Sequence, residues 1–170
     1  MTRTVLQTSR LMLRELAAAD LDFVACMLAD PAVMRFWPRP QTRTEAEIWI
    51  QRQQERYARH GHGYWLAVDQ ATGRPVGQAG LLMSLVDGVE EPGLGYIFHR
   101  PFWGKGLATE AAFATLDWAF DVRGYSRIIC LVRPQNVPSL RVAQRLGLTP
   151  ERYTVYAGYD HLLLSATSSR

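Results

Sequence analysis

Lysine is nearly absent from this sequence: Lys105 stands alone among nineteen basic residues, the other eighteen being arginine. The arginines are scattered, form no polybasic tract and leave a formal net charge of only +3, so nothing marks a nucleic-acid surface. A codon bias toward arginine accounts for most of the imbalance, but a lone lysine inside a glycine-rich turn is still a marked position. Cysteine is scarce too. Cys26 and Cys130 both lie in apolar surroundings with no metal-ligand spacing, and they read as buried free thiols rather than a disulfide or a metal site. Long apolar runs are missing: none approaches the roughly 18 residues of a membrane span. The first ten residues lack the apolar core of a signal peptide, so the expectation is a cytoplasmic protein with no membrane partner. With no internal repeat, low-complexity tract or linker, residues 1–170 read as a single domain.

What is present is a regular alternation of short apolar runs and turn signals. A first strand is expected at Leu11-Met12-Leu13. Asp20 reads as an N-cap, after which Leu21, Val24 and Leu28 recur at helical spacing until Asp30-Pro31. A second helix is expected from Thr44 to Tyr57, with Thr44 and Glu47 as a capping box. It ends at His60-Gly61-His62-Gly63, whose two histidines read as a solvated loop because no third metal ligand is near.

Strands follow at Tyr64–Val68 and Pro75–Leu85. Asp87-Gly88 then turns the chain into an antiparallel strand ending Leu94-Gly95-Tyr96-Ile97-Phe98. Gly93 and Gly95 inside that strand mark a bulge or a close approach to the backbone. From Leu107 to Val122 the chain is apolar almost all round, as in a buried helix. Arg127–Val132 reads as a buried strand, and strand, helix, strand at this spacing makes a crossover joining two parallel strands. A last helix runs from Pro138 to Leu146, and two strands near Arg152–Tyr156 and His161–Ser165 turn at Ala157-Gly158.

The chemistry is concentrated where a strand enters Trp103-Gly104-Lys105-Gly106-Leu107-Ala108-Thr109-Glu110. The first N–H groups of a helix have no partner within it, and with the helix dipole they form an anion site. Glycines at 104 and 106 remove side chains that would block a phosphate. A structural strand-to-helix turn would carry the same glycines. A Walker A loop fails because Gly106, not Ser or Thr, follows Lys105. A dinucleotide fingerprint fails because Thr109 stands where the third glycine belongs and Arg133 where an acidic residue should end the second strand.

The same segment resembles the diphosphate-binding motif of the GNAT superfamily of N-acetyltransferases, in the variant of the RimJ/RimL-type ribosomal-protein N-terminal acetyltransferases. Thr8 to Arg14, Asp30-Pro31, Gly77 to Leu81, Leu94-Gly95-Tyr96, Asn136 with Ser139, and Leu146-Gly147-Leu148 resemble that group in order and spacing. The resemblance implies an α+β fold: a mixed, mostly antiparallel twisted sheet with two central parallel strands splayed apart and helices on both faces. It also implies acetyl-CoA as the cosubstrate and no metal. By position, the backbone of Ile97, Phe98 and His99 would hold the pantetheine and thioester. The amides of Gly104, Lys105, Gly106, Leu107, Ala108 and Thr109 would hold the diphosphate, beside Trp103, which stands at the cofactor site in place of the motif's usual Gln or Arg. Asn136 would reach the pantetheine or cap the helix that follows it.

For catalysis, the tyrosine that many members carry in the last helix is replaced here by Ala143. Ser139 occupies the place of a serine near the sulfur in RimL-type enzymes and is the candidate acid, with Tyr153 and Tyr156 as secondary candidates. The family's glutamate before the strand bulge is replaced by Gly93, following Glu90-Glu91-Pro92, and the base is left open among these carboxylates, an ordered water and His99. Phe36, Trp37, Pro38 and Trp49 suggest an aromatic acceptor wall. The expected reaction is acetyl transfer to a primary amine, either a protein N-terminus or a small molecule such as an amino acid, polyamine or aminoglycoside. A non-catalytic acyl-CoA-binding module is the alternative, and a homodimer is a family-level expectation.

Overall fold

The computed structural model describes residues 2–169. Two short strands, β1 (Thr4–Gln7) and β2 (Leu11–Arg14), form a hairpin of which the sequence signalled only the second member. A 3-10 turn at Ala18–Asp20 leads into α1 (Leu21–Ala29), and α2 spans Arg43–His60. Then follow β3 (Tyr64–Asp69), β4 (Pro75–Val86), β5 (Val89–Phe98), α3 (Leu107–Asp121), β6 (Arg127–Val132), α4 (Val137–Arg145), β7 (Thr149–Tyr156) and β8 (Tyr159–Thr167). The eight strands make one sheet in the order β1-β2-β3-β4-β5-β6-β8-β7. Every neighbouring pair is antiparallel except β5 and β6.

Helices cover both faces because the strands are apolar on both. On one face Ala112, Leu116 and Ala119 of α3, with Ala143 and Leu146 around α4, pack on Leu94, Ile128, Cys130 and Val132. On the other, Val24, Leu28, Ala46 and Ile50 of α1 and α2 pack on Tyr64, Leu66, Val68 and Ile97. Each large side chain so buried contributes about 1.5–3 kcal/mol.

Several local expectations change. The capping box of α2 is Thr42 with Glu45, two residues before the expected pair: Glu45 N–H donates to Thr42 Oγ1 (3.2 Å) and Thr42 N–H to Glu45 Oε2 (2.7 Å). Asp20 does not cap α1 with its side chain. It accepts from Ala17 N–H (2.8 Å) and pairs with Arg14. Cys26 is exposed, because it lies on the outer side of α1 while Val24, Met27 and Leu28 face inward; only Cys130 is buried. His62 is not in a solvated loop. It is buried between β4 and the end of α3, donating from Nδ1 to Leu81 O (2.8 Å) and accepting at Nε2 from Tyr125 (2.8 Å).

Candidate active site

Between β4 and β5 the register is unbroken from Gly77↔Phe98 to Val86↔Val89, so Gly93 and Gly95 make no bulge. The close approach is real at Gly95, where a Cβ would collide with the hydroxyl and ring of Tyr64. On its other edge β5 meets β6 at one bridge only, Gly93↔Ile129. Beyond it the two parallel strands part, and a cavity of about 250 Å³ lies between them, bordered by Gly95, Tyr96, Cys130, Val132, Asn136 and Ser139.

Backbone polarity in the opening follows from strand alternation. His99 N–H donates to Val76 O (3.0 Å), so His99 and, two residues earlier, Ile97 direct their peptide groups to β4. Those of Tyr96 and Phe98 point into the opening. The Phe98 carbonyl is already taken by the indole N–H of Trp103 (2.7 Å), which leaves the N–H groups of Tyr96 and Phe98. Of the three residues expected to hold the donor by their backbone, Ile97 and His99 turn their peptide groups to β4, and Phe98 turns its own away from that strand.

The same strand leads directly to the glycine turn. Gly104 and Gly106 both have φ of 75°, the left-handed region, and Gly106 is the N-cap of α3. A Cβ at Gly104 would meet nothing within 4 Å, so the outer side of the turn is open. The amides of Leu107, Ala108 and Thr109 are the unpartnered first N–H groups of the helix. Trp103 is half-exposed and Lys105 exposed, with its Nζ 5.6 Å from the Phe102 ring. A second cavity, about 430 Å³, adjoins the turn and is bordered by Arg10, Arg74, Phe102 and Lys105, three cations against the single carboxylate of Asp69.

Glu110 fastens this turn to the N-terminal hairpin. Its carboxylate accepts from Thr8 Oγ1 (2.6 Å), Arg10 N–H (3.0 Å) and Arg10 Nε (2.6 Å), while Arg10 Nη1 donates to Lys105 O (2.9 Å). Partial burial pushes the Glu110 pKa up, but the hydrogen bonds from Thr8 and Arg10 outweigh it and hold the group below the usual range.

At the inner end of the first cavity, Asn136 caps α4 by accepting from Ser139 N–H (3.2 Å), which leaves its side-chain amide N–H donors for the cavity it borders. Ser139 Oγ lies 3.0 Å from Tyr96 Oη, and the Tyr96 phenol donates to the Ser139 carbonyl (2.8 Å). Burial pushes the Tyr96 phenol up, and it lifts the neighbouring Cys130 thiol to about 12. Both keep their protons at neutral pH. Ala143 is fully buried in the core cluster that includes α3.

The other candidates separate. Tyr156 borders the cavity, whereas Tyr153 is exposed on β7. Glu91 is occupied by Arg127 (2.7 Å), itself paired with Glu151; Glu90 is exposed near the β4–β5 turn. The His99 ring packs edge-on against Phe23 outside the cavity, and burial lowers its pKa. Phe36, Trp37 and Pro38 do line the cavity. Trp49 stands behind it, stacked on Tyr64 at 5.5 Å and hydrogen-bonded to Gln78. The structure adds Tyr64, Tyr96, Arg133, Tyr159 and His161 to the lining. Tyr96 was visible as part of the Leu-Gly-Tyr run, but the β7–β8 residues carry no local signal. Among the described residues no group of three or more His, Cys, Asp or Glu is arranged for a metal ion, and no helix is long and apolar enough to cross a membrane.

The parallel strands β5 and β6 thus part beyond a single bridge, the glycine turn opens α3 at their exit, and Ser139 borders the space between them. A family model described as "Acetyltransferase (GNAT) domain" matches residues 10–149, and the chain belongs to that family. It is thus an N-acetyltransferase with acetyl-CoA as its donor. Among similar proteins, the uncharacterized protein YkkB of Bacillus subtilis is 31% identical over 147 residues, covering 86% of either chain. Spermidine N(1)-acetyltransferase of Escherichia coli is 27% identical over 149 residues, covering 82% of this chain and 73% of that one. Among solved structures, an acetyltransferase from Agrobacterium tumefaciens superposes with a TM-score of 0.84 at 29% identity, covering 99% of this chain and 95% of that one. RimL, a ribosomal L7/L12 alpha-N-protein acetyltransferase solved with coenzyme A, gives 0.80 at 16% identity over 97% and 98%, a likeness of fold alone.

Proposed function

We propose that this enzyme moves the acetyl group of acetyl-CoA to a primary amine by direct attack of the amine on the thioester, with Ser139 as the proton donor to the departing thiolate. The observation that carries this reading is the single bridge between β5 and β6. It opens a slot whose exit is the glycine turn and whose inner end holds Ser139.

The residues present suit the donor. The turn amides from Gly104 to Thr109, with Lys105, fit a diphosphate, whereas the Trp103 amide is already spent on the Arg100 carbonyl (3.1 Å); the basic cavity beside them suits a polyanionic tail. The N–H groups of Tyr96 and Phe98 and the Asn136 side chain suit the pantetheine arm. One of these backbone donors is available to the tetrahedral oxyanion, a contribution of about 3 kcal/mol when well placed.

The attacking amine must be neutral, and an α-amine with a pKa of about 7.7–8.0 is partly so at neutral pH. His161 is suited to take its proton. Its Nδ1 bonds the Tyr159 carbonyl (2.9 Å), which can only accept, so the neutral ring presents Nε2 as an acceptor. The acceptor class, a protein N-terminus as in RimJ/RimL-type enzymes or a small-molecule amine, is settled by assay. Both cysteines are unpaired, which fits a reducing setting such as the cytoplasm.

The test is release of free thiol from acetyl-CoA in the presence of N-terminal peptides, amino acids, polyamines and aminoglycosides. Turnover on one class, lost in Ser139→Ala, is expected. Tight acetyl-CoA binding with no turnover on any amine would mean a binding module instead.

A further inference from the structure

Among the described residues, no Asp or Glu lines the cavity between β5 and β6; the one charged side chain in its wall is Arg133, and His161 is the one other basic group. Arg133 follows β6 directly, and its place on the strand decides which way it faces. Cys130 and Val132 turn toward α3 and α4. Ile129 and Leu131 turn the other way, into a cluster with Val86, Leu163 and Tyr156, and Arg133 continues that alternation. Its guanidinium lies 4.4 Å over the Tyr159 ring, and Nη1 makes one long contact, 3.4 Å, to the Phe36 carbonyl. Arg133 is therefore on the face away from α3 and its diphosphate turn, at the side where Phe36, Trp37 and the β7–β8 hairpin enclose the acceptor.

This arginine is held but not neutralised. It forms no ion pair among the described residues, and its Nε–H is buried without a hydrogen-bond partner. Asp160, the carboxylate next to Tyr159 on β8, lies on the face of the strand opposite the cavity-lining Tyr159 and His161, and Asp30, Glu91 and Glu151 are paired with Arg100 and Arg127. A buried donor left unmade is costly, and a guanidinium fixed by stacking presents a planar fork that matches a carboxylate.

We infer that the acceptor is a primary amine carrying a carboxylate a few bonds from its nitrogen, and that Arg133 binds this carboxylate as the specificity-determining residue. This rests on the acetyl-transfer reading above and narrows it. Polyamines and aminoglycosides bring two or more cations into a chamber whose fixed charge is positive and whose wall offers no counter-charge, so they are disfavoured. An amino acid, or a peptide whose first or second residue is Asp or Glu, brings the required anion. Held on Arg133, it would direct the amine toward the Ser139 end of the slot, while the aromatic wall receives the apolar part.

The experiment measures kcat/KM for matched pairs that differ only in the anion. The pairs are free amino acids against their methyl esters, and peptides beginning with Glu or Asp against the same peptides with Gln or Asn. Spermidine and an aminoglycoside complete the panel. The carboxylate member is expected to win by about tenfold or more, and whether free amino acids or acidic N-termini lead distinguishes the two sources. Arg133→Gln should bring the ratio close to one, and Arg133→Lys should retain part of it. A thermal shift with acetyl-CoA checks that each variant is folded. Calorimetric titration of the preferred acid into coenzyme A-saturated protein gives a readout independent of turnover, and binding should weaken about tenfold in Arg133→Gln.

Preference for spermidine or the aminoglycoside overturns the inference, as does an acid-to-ester ratio that Arg133→Gln leaves unchanged. Absence of turnover on every amine, with acetyl-CoA bound, counts against the transfer reading itself. Carboxylate binding that ignores Arg133 counts against the arginine alone.

Discussion

The hydroxyl of Ser139 and the phenol of Tyr96 are 3.0 Å apart, and the phenol also reaches the backbone carbonyl of Ser139 at 2.8 Å. A carbonyl only accepts, so the phenol spends its proton there and the serine must donate to the phenol oxygen. Tyr96 thereby fixes Ser139 Oγ at the inner end of the slot, and rotation about one bond would turn its proton to a departing sulfur. Ser139→Ala is expected to lower kcat by about 100-fold or more, the ordinary scale of a lost proton donor, with little change in the KM for acetyl-CoA. Tyr96→Phe, which leaves the hydroxyl present but unanchored, should cost about tenfold. Steady-state kinetics at saturating amine decide this, and a Ser139→Ala enzyme within threefold of the parent would remove Ser139 from the mechanism.

Glu110 gives a second prediction, on the donor side. Its carboxylate gathers Thr8 and Arg10 and, through Arg10, holds the Lys105 carbonyl. Glu110→Ala should lower stability by about 1–2 kcal/mol, discounted because Arg10 is half-exposed, and should weaken acetyl-CoA binding by loosening the turn. The folded pKa is depressed, so the stabilisation is complete above the unfolded carboxylate value of about 4.3 and is lost as pH falls through the folded value. Denaturant unfolding of parent and variant should therefore converge as pH falls below the usual carboxylate range.

Much of the sheet was legible in the sequence because its signals are local. Asp87-Gly88 and Ala157-Gly158 both form hairpin turns with two consecutive positive φ angles. The crossover from Leu94–Phe98 to Arg127–Val132 did join two parallel strands. What escaped depends on facing. Cys26 has apolar neighbours in the chain yet sits on the outer side of α1, and His62 is drawn inward by Leu81 and Tyr125, neither of them near in sequence. The donor half of the site is one continuous segment and could be read. The acceptor half is assembled from the segment before α2, the end of β6 and the β7–β8 hairpin, and no sequence pattern brings Phe36, Arg133 and Tyr159 together.

The third prediction concerns Gly95. It lies opposite Gly80 on β4, and Tyr64, which pairs with Gly80 on β3, covers it. A methyl group at Gly95 would come within 2.8 Å of Tyr64 Cζ, and Tyr64 cannot retreat because it is stacked on Trp49. Gly95→Ala should cost about 2–3 kcal/mol of overpacking, a fall in Tm of about 5–10 °C. Gly104→Ala provides the contrast: the added methyl meets nothing within 4 Å, so its cost is the left-handed φ alone, about 1 kcal/mol. Calorimetric melting of the two variants should rank them in that order.

His62 supplies the last. The Leu81 carbonyl requires a proton on Nδ1, and because burial disfavours a second proton the ring is neutral and its bare Nε2 accepts from the Tyr125 hydroxyl. Burial lowers its pKa; the bond to Leu81 works in the opposite direction, and the nearby charges of Arg123 and His60 add to the lowering. The unfolded chain then takes up a proton that the folded protein refuses, and stability rises with pH in that window. The stabilisation is complete above the unfolded histidine value of about 6.5 and is lost as pH falls toward the folded value. His62→Gln keeps a donor for Leu81 but does not titrate. It should be less stable than the parent at pH 8 by about 1 kcal/mol and approach or overtake it at pH 5. Urea unfolding of both proteins from pH 5 to 8 measures the difference directly, and because His99 is common to both its titration cancels. A difference that stays constant across that range would mean that folding leaves the His62 pKa unshifted, and one that shrinks as pH rises would mean that the folded ring carries a proton and that its bond to Tyr125 runs the other way.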